Sequence, residues 1–142
     1  MLVAAALSDV GASRQLFTDS SARGWALLVS PWVLRETREN LADKPSTATR
    51  NWLTLASQAR LEPDVLTFAW PLLFSVTKDK PVLCTALACA DVLLTLDRRD
   101  FGPLLGQTVY GLEVLTPGAF LRSQQKPNRE EDGEGKEIGV SR

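Results

Sequence analysis

Acidic side chains at the ends of predicted strands and helices are the groups of this sequence best suited to chemistry. Asp97 ends the apolar run 92–96, and Asp79 stands 18 positions earlier, at the predicted start of the helix before that run. Glu36 lies in the helix predicted after another apolar run, and Asp100 follows Asp97 in a loop. Mg²⁺ and Mn²⁺ prefer oxygen ligands such as carboxylates, and paired divalent ions activate water for phosphoryl displacement. If these carboxylates converge, they could hold such ions and support displacement at a phosphate.

Each of these carboxylates also has an ordinary structural explanation. Asp79 could cap its helix and complement the helix dipole, and Glu36 could be a solvated helix residue. Asp97 is harder to explain in this way, because a charge that ends a buried strand must lie at the rim of the sheet, near the hydroxyl of Thr95. Asp91 opens the same strand at the opposite edge, so we interpret it as a turn or capping residue.

The segments that would position these carboxylates alternate between helix and strand. Helices are predicted over residues 12–21, 31–42, 46–60 and 79–90, strands over 26–30, 91–96 and 111–115, and a short closing helix or turn over 116–121. Such alternation predicts an α/β domain with a mainly parallel sheet. In right-handed strand–helix–strand units, the carboxyl ends of strands and the amino ends of helices share one edge. We therefore expect Glu36, Asp79 and Asp97 to converge there.

The composition excludes several classes of function. The chain has 142 residues and a net charge of −1, which suits one domain without the strong basic field of a sequence-reading DNA binder. It has no histidine, which excludes Ser-His and Cys-His catalysis. Cys84 and Cys89 lack Cys-x-x-Cys spacing and are predicted to be small hydrophobes of one helix. No signal peptide and no membrane span is predicted, so we expect a cytoplasmic protein with no membrane partner.

The last twenty residues differ in composition from the rest of the chain. Residues 123–142 carry five acidic and four basic side chains and almost no large apolar ones. Such a segment buries too little apolar surface to offset the entropy lost on ordering. The sequence therefore predicts a folded domain over residues 1–122 and a disordered, charged tail over residues 123–142.

Two stretches of the chain carry a resemblance to the PIN-domain family. Residues 78–101 contain Asp79, a helix and then Thr95-Leu-Asp97, which resembles the C-terminal signature of that family. The segment from Ser30 to Glu36 resembles the part that supplies the second acid of the family. The resemblance covers residues 1 to about 122 and implies a PIN-like three-layer α/β/α fold with a mainly parallel sheet.

The resemblance also implies an activity, a cofactor and partners. It implies an endoribonuclease that hydrolyses RNA phosphodiester bonds with Mg²⁺ or Mn²⁺, as in the VapC-like toxins of toxin–antitoxin pairs. RNA is then the substrate, and a small antitoxin protein or a homodimer is compatible with the family. The implied metal ligands are Glu36, Asp79 and Asp97, with Asp100 as a secondary candidate, and the residues that could contact phosphates are Lys80, Arg98 and Arg99.

One part of the family pattern is missing from this sequence. The family opens with a central strand that ends in Asp-Thr-Asn, and its Asp is a metal ligand, whereas residues 2–13 resemble only the segment after that Asp. We therefore expect the first, central strand and the first acid to be absent, and the activity of the chain to be impaired. Met1 stands at a family valine, so we hypothesise that it is a misassigned start and that the upstream DNA encodes the strand.

Two other classes of function stay open beside the nuclease. The first is a catalytically degenerate PIN-like module that binds RNA or protein without cutting, and tryptophans could support its interface. At least two of the four tryptophans are expected in the core instead; they are Trp25, Trp32, Trp52 and Trp70. The second is a Rossmann-like nucleotide-binding domain, which the absence of a Gly-x-Gly-x-x-Gly pattern after a strand disfavours.

Overall fold

A computed structural model of the chain describes residues 1–72, 74–75, 77–125 and 136–141. In this part of the chain, helices and strands alternate as the sequence predicts. The helices are α1 (Leu2–Leu7), α2 (Ala12–Arg23), α3 (Pro31–Leu41), α4 (Ser46–Ala56), α5 (Lys80–Cys89) and α6 (Pro117–Gln125). The strands are β1 (Ala26–Val29), β2 (Arg60–Leu61), β3 (Val92–Leu94), β4 (Thr108–Val109), β5 (Leu112–Leu115) and β6 (Glu137–Val140).

The strands form one mostly parallel sheet in the order β2-β1-β6-β3-β5-β4. Only β4 runs antiparallel to its neighbour, in the hairpin that it forms with β5. Strand β6 pairs in parallel with β1 on one side, where Leu27 is opposite Ile138, and with β3 on the other, where Leu93 is opposite Gly139. The predicted fold class, α/β with a mainly parallel sheet, is confirmed.

The central strand β6 is buried on both faces. Gly139 lies against α5, because an added Cβ would be 3.3 Å from the Cβ of Ala90 and 3.5 Å from that of Ala86. Side chains alternate along a strand, so Ile138 and Val140 project to the other face, and they are 0% and 3% exposed. This arrangement is compatible with three layers.

The position of β6 corrects two expectations from the sequence. The middle of the sheet was expected to lack a strand, and residues 123–142 were expected to be a disordered tail. In the structure, α6 continues to Gln125, and Glu137–Val140 occupies the middle of the sheet. The expectation of a disordered tail is therefore wrong for these segments, and for residues 126–135 and 142 it lies outside the described residues.

The prediction of disorder rested on the average composition of residues 123–142, whereas the pairing of β6 with its neighbours depends on only a few of them. Ordering four backbone residues costs roughly 1–2 kcal/mol each. Full burial of Ile138 and Val140 contributes about 1.5–3 kcal/mol each. Hydrogen bonds to a strand on each side add to this, at about 0.5–1.5 kcal/mol per bond. Together these terms can hold a short strand that is flanked by charged residues.

Local signals account for the ends of several helices. The Ser30 hydroxyl accepts a hydrogen bond from the backbone N–H of Val33, and Pro31 follows at the first helical position of α3. Helix α2 ends at Gly24, which has a left-handed φ of 66°, a conformation that glycine adopts without steric cost. These short-range patterns place both helices close to their predicted bounds.

Substitution of Gly139 by valine is expected to lower the free energy of unfolding by about 1–3 kcal/mol, as overpacking of a filled core does. An added Cβ would lie 3.3 Å from both the Cβ of Ala90 and the carbonyl oxygen of Val92. Urea unfolding of the full chain measures the change. The control is Gly102→Ala, because a Cβ at Gly102 meets nothing within 4 Å. Equal stability of Gly139→Val and wild type would contradict the central placement of β6.

Candidate metal centre

The carboxyl ends of the four central parallel strands meet at one edge of the sheet, and each is followed by a hydroxyl residue. These residues are Ser30 after β1, Ser141 after β6, Thr95 after β3 and Thr116 after β5. The Thr116 hydroxyl accepts a hydrogen bond from the backbone N–H of Ala119 at the start of α6, as Ser30 does for α3. The edge is therefore polar directly above an apolar core.

Three aspartates form a group at this edge. Asp79, Asp97 and Asp100 each offer a carboxylate oxygen, and these oxygens all lie within 4.8 Å of one another. Asp79 is fully buried, and Asp97 and Asp100 are half-buried. Three negative charges at such separations repel one another, so a positive charge among them stabilises the ionised group.

The loop after β3 fixes two of the three aspartates. The backbone N–H of Asp97 donates a hydrogen bond to the buried hydroxyl of Thr95 at 3.0 Å. Oδ1 of Asp97 then accepts a hydrogen bond from the backbone N–H of Asp100 at 2.9 Å. This hydrogen bond to the third residue on, of the kind that an N-cap side chain makes, folds the loop back and brings Asp100 beside Asp97. From the sequence, Asp100 was only a secondary candidate, and this hydrogen bond explains why it belongs to the group.

Asp79 immediately precedes α5, whereas Asp97 and Asp100 follow it in the chain. A 3-10 turn over Thr77–Asp79 leads directly into α5, whose first turn contains Pro81. Asp79 stands at the N-cap position, but its side chain makes no capping hydrogen bond with α5. Its exposure is 0%. The alternative that Asp79 only caps its helix is therefore not supported, because a capping carboxylate accepts hydrogen bonds from the first helical N–H groups.

Of the three residues expected to converge, Asp79 and Asp97 belong to the group of aspartates, whereas Glu36 lies outside it. It lies in α3, its side chain is 12% exposed, and its Oε1 is 4.0 Å from Nζ of Lys78. It is not a member of the group formed by Asp79, Asp97 and Asp100. Lys78, which directly precedes Asp79, links Glu36 to the edge of the group.

The basic residues predicted to contact phosphates lie beside these aspartates in sequence and are exposed. They are Lys80, Arg98 and Arg99. Nε of Arg99 is 3.9 Å from Oδ1 of Asp100, and its side chain is 95% exposed, so this ion pair contributes little to stability. The three side chains remain available to solvent.

Asp91 lies at the opposite, amino edge of the sheet, as the sequence predicts. Its Oδ2 accepts a hydrogen bond from the backbone N–H of Glu137 at 2.7 Å. Its own N–H donates to the carbonyl oxygen of Glu137 at 2.7 Å. Asp91 therefore anchors the start of β6 and takes no part in the acidic group.

Both cysteines lie in α5, as predicted, and neither forms a disulfide. Burial raises the pKa of the Cys84 thiol. Burial also raises the pKa of the Cys89 thiol, and Glu62 and Glu137 add to that effect. A raised pKa disfavours the thiolate, which is the form that acts as a nucleophile or a metal ligand.

Ser141 and β6 are the parts of this edge that were not predicted from the sequence. Ser141 is 4% exposed, and its N–H donates a hydrogen bond to the carbonyl oxygen of Leu94 at 3.0 Å. Its carbonyl oxygen accepts a hydrogen bond from the N–H of Leu2 at 3.3 Å. A signal was present, since Ile138 and Val140 alternate with Gly139 in a segment otherwise rich in charge.

The fold and site together define an α/β domain with an acidic group at the carboxyl edge of a mostly parallel sheet. Within the described ranges, no helix is both long enough and apolar enough to cross a membrane. Comparison of the chain with models of known protein families, with curated proteins and with solved structures gave no match.

Proposed function

We propose that this protein is a PIN-type endoribonuclease that hydrolyses RNA phosphodiester bonds with Mg²⁺ or Mn²⁺. The observation that carries the proposal is the group of Asp79, Asp97 and Asp100, with oxygens within 4.8 Å of one another. The group lies at the carboxyl edge of a parallel sheet, where α/β folds bind ligands. The spacing of Asp79, Thr95 and Asp97 also resembles the C-terminal signature of PIN domains.

The donor set fits a hard divalent cation. All three side chains offer carboxylate oxygens, which Mg²⁺ and Mn²⁺ prefer over sulfur. The chain has no histidine, and neither cysteine belongs to the acidic group, so the nitrogen and sulfur ligands typical of Zn²⁺ sites are not part of this donor set. When bound, Mg²⁺ or Mn²⁺ supplies the Lewis acidity that activates water and polarises a phosphodiester.

The residues of the chain have separable roles in this proposal. Asp79, Asp97 and Asp100 hold the cation, and Thr95 fixes the backbone that carries Asp97. Glu36 serves as a further acid at the rim, held by Lys78. The exposed residues Lys80, Arg98 and Arg99 contact backbone phosphates, which positions RNA without reading its sequence.

The cellular setting is also part of the proposal. The resemblance to VapC-like toxins suggests a cytoplasmic toxin of a toxin–antitoxin pair, neutralised by a small antitoxin protein. A homodimer is compatible with the same family. Formation of a complex with the product of a small neighbouring gene, measured by co-purification, tests this part independently of RNA cleavage.

The activity is tested with the full chain and a labelled structured RNA. We expect cleavage with Mn²⁺ or Mg²⁺, none after treatment with excess EDTA, and recovery when Mn²⁺ is added back. Single-stranded DNA of the same sequence is the substrate control. Cleavage that continues unchanged in EDTA would contradict a metal-dependent mechanism.

A second candidate is a catalytically degenerate PIN-like module that binds RNA or protein. Two observations favour it. The resemblance expects an aspartate where the central strand ends, and Ser141 follows β6 there. An aromatic group of Phe68, Trp70 and Tyr110 lies at the surface, with ring centroids 5.2–6.1 Å apart and Trp70 61% exposed. RNA binding without cleavage in Mn²⁺ would favour the module over the nuclease.

A further inference from the structure

Strand β6 lies between the strand that leads to Glu36 and the strand that leads to Asp97 and Asp100. On one side, β2 and β1 lead into α3 and Glu36; on the other, β3 leads to Asp97 and Asp100. Both sides pair with β6 and not with each other. The relative positions of α3 and of the loop after β3 therefore depend on the docking of β6 between β1 and β3.

The start of β6 is held at the amino edge by two side chains. Asp91 accepts a hydrogen bond from the Glu137 N–H at 2.7 Å, and Arg60 donates to the Glu137 carboxylate at 2.8 Å. Asp91 is exposed, and the Arg60 side chain is 53% exposed. Neither residue belongs to the acidic group. A strand of four residues spans roughly 13 Å, so these anchors act at a distance from it.

The end of β6 is connected to the site through main-chain hydrogen bonds. The N–H of Ser141 donates to the carbonyl oxygen of Leu94, one residue before Thr95, which holds the backbone of Asp97. The carbonyl oxygen of Ser141 accepts from the N–H of Leu2 at the start of α1. A shift of β6 along its own axis would therefore disturb both hydrogen bonds of Ser141, and with them the positions of Leu94 and of the start of α1.

We propose that Asp91 is a positioning residue for the acidic site: by fixing the start of β6 at the amino edge, it sets the cation affinity at the carboxyl edge. The inference rests on the proposed function, because it assumes that the aspartates bind a divalent cation. Docking of β6 and cation binding are then linked equilibria. A cation that binds only when the strand is docked protects β6 from exchange, and a weaker anchor lowers the apparent affinity in proportion to the fraction of molecules in which β6 is docked.

The test uses the full chain with Asp91→Ala, Asp91→Asn and the control Asp43→Ala. Asp43 is exposed and pairs with its neighbour Lys44 at 3.5 Å. Mn²⁺ affinity is measured by calorimetry, and amide exchange is measured by NMR for Ile138–Val140 and, as a reference, for α4. We expect Asp91→Ala to weaken Mn²⁺ binding about 10-fold and to speed exchange in β6 but not in α4. Mn²⁺ should slow exchange in β6 of the wild type.

Asp91→Asn separates positioning from general destabilisation. Its side-chain oxygen can still accept from the Glu137 N–H, so it should restore most of the affinity. Should Asp91→Ala fail to fold, Arg60→Met, which removes the other anchor, must give the same pair of effects. Faster exchange in β6 with unchanged Mn²⁺ affinity would overturn the inference and leave the proposed function standing. Failure of the wild type to bind Mn²⁺ would overturn both.

Discussion

Asp97→Asn is expected to reduce Mn²⁺-dependent cleavage of RNA by about 100-fold or more while the fold is retained. Loss of an outer residue that only orients a metal ligand costs about 10–100-fold in affinity or activity, and loss of a ligand charge costs at least as much. The asparagine removes the negative charge and keeps an oxygen at the Oδ1 position. That oxygen can still accept the hydrogen bond from the N–H of Asp100.

The substitution is informative because it retains the hydrogen bond between residue 97 and the N–H of Asp100. Asp97→Ala would remove both the charge and the acceptor for Asp100, so a loss of activity could reflect a disordered loop. Asp97→Asn isolates the charge. The thermal unfolding midpoint without Mn²⁺ should be unchanged or higher, because one of three mutually repelling carboxylates is neutralised. The stabilisation that Mn²⁺ confers on the wild type should be largely lost.

The control for Asp97→Asn is Asp43→Asn, a neutralised exposed aspartate that lies outside the acidic group. Both proteins are compared at equal concentration, in the same Mn²⁺ titration and with the same RNA. Cleavage by Asp97→Asn at the wild-type rate, with an unchanged requirement for Mn²⁺, would contradict the assignment of Asp97 as a metal ligand.

The parts of the fold that were predictable from the sequence depend on short-range interactions. The start of α3 follows from Ser30-Pro31, and that of α5 from Pro81 in its first turn; both effects extend over one helical turn. Strands β1 and β3 follow from short apolar runs that are buried on both faces. Asp97 was predicted for the same reason, because a charge after a buried strand has only the rim of the sheet to occupy.

The parts that were not predictable depend on long-range interactions or on tight turns. Strand β6 pairs Ile138 with Val92, 46 positions away, and Glu137 with Ala26, 111 positions away. Nothing in a four-residue segment specifies such partners, and the charged neighbours of β6 hide its apolar side chains in any average. The membership of Asp100 depends on one hydrogen bond from its N–H to Asp97, which composition does not encode.

Ser141→Asp is expected to add a carboxylate at the acidic edge and to strengthen Mn²⁺ binding by about 10-fold, comparable with the influence of residues around metal sites. Ser141 directly follows the central strand and is 4% exposed. Its N–H is bonded to Leu94, three positions before Asp97. The resemblance to PIN domains expects an aspartate at the end of the central strand. The substitution therefore supplies the acid that the sequence lacks relative to the family pattern.

The free energy of unfolding of Ser141→Asp should depend on Mn²⁺ more strongly than that of a variant with an uncharged side chain at this position. Without Mn²⁺, a new buried charge beside the acidic group should lower the free energy of unfolding by about 3–5 kcal/mol. With saturating Mn²⁺, most of this loss should disappear, because binding to the folded state alone stabilises it. Ser141→Asn has nearly the same shape without the charge, so its stability should respond to Mn²⁺ as that of the wild type does.

Cleavage of RNA separates the two proposed functions in the same experiment. If the chain is a nuclease limited by the absence of one acid, Ser141→Asp should raise the cleavage rate at low Mn²⁺, because more of the protein carries the cation. If the chain is a degenerate module, the substitution should increase Mn²⁺ affinity without producing cleavage. An equal loss of stability in Mn²⁺ and in EDTA would show that position 141 does not face the cation, which would remove the link between the central strand and the acidic site.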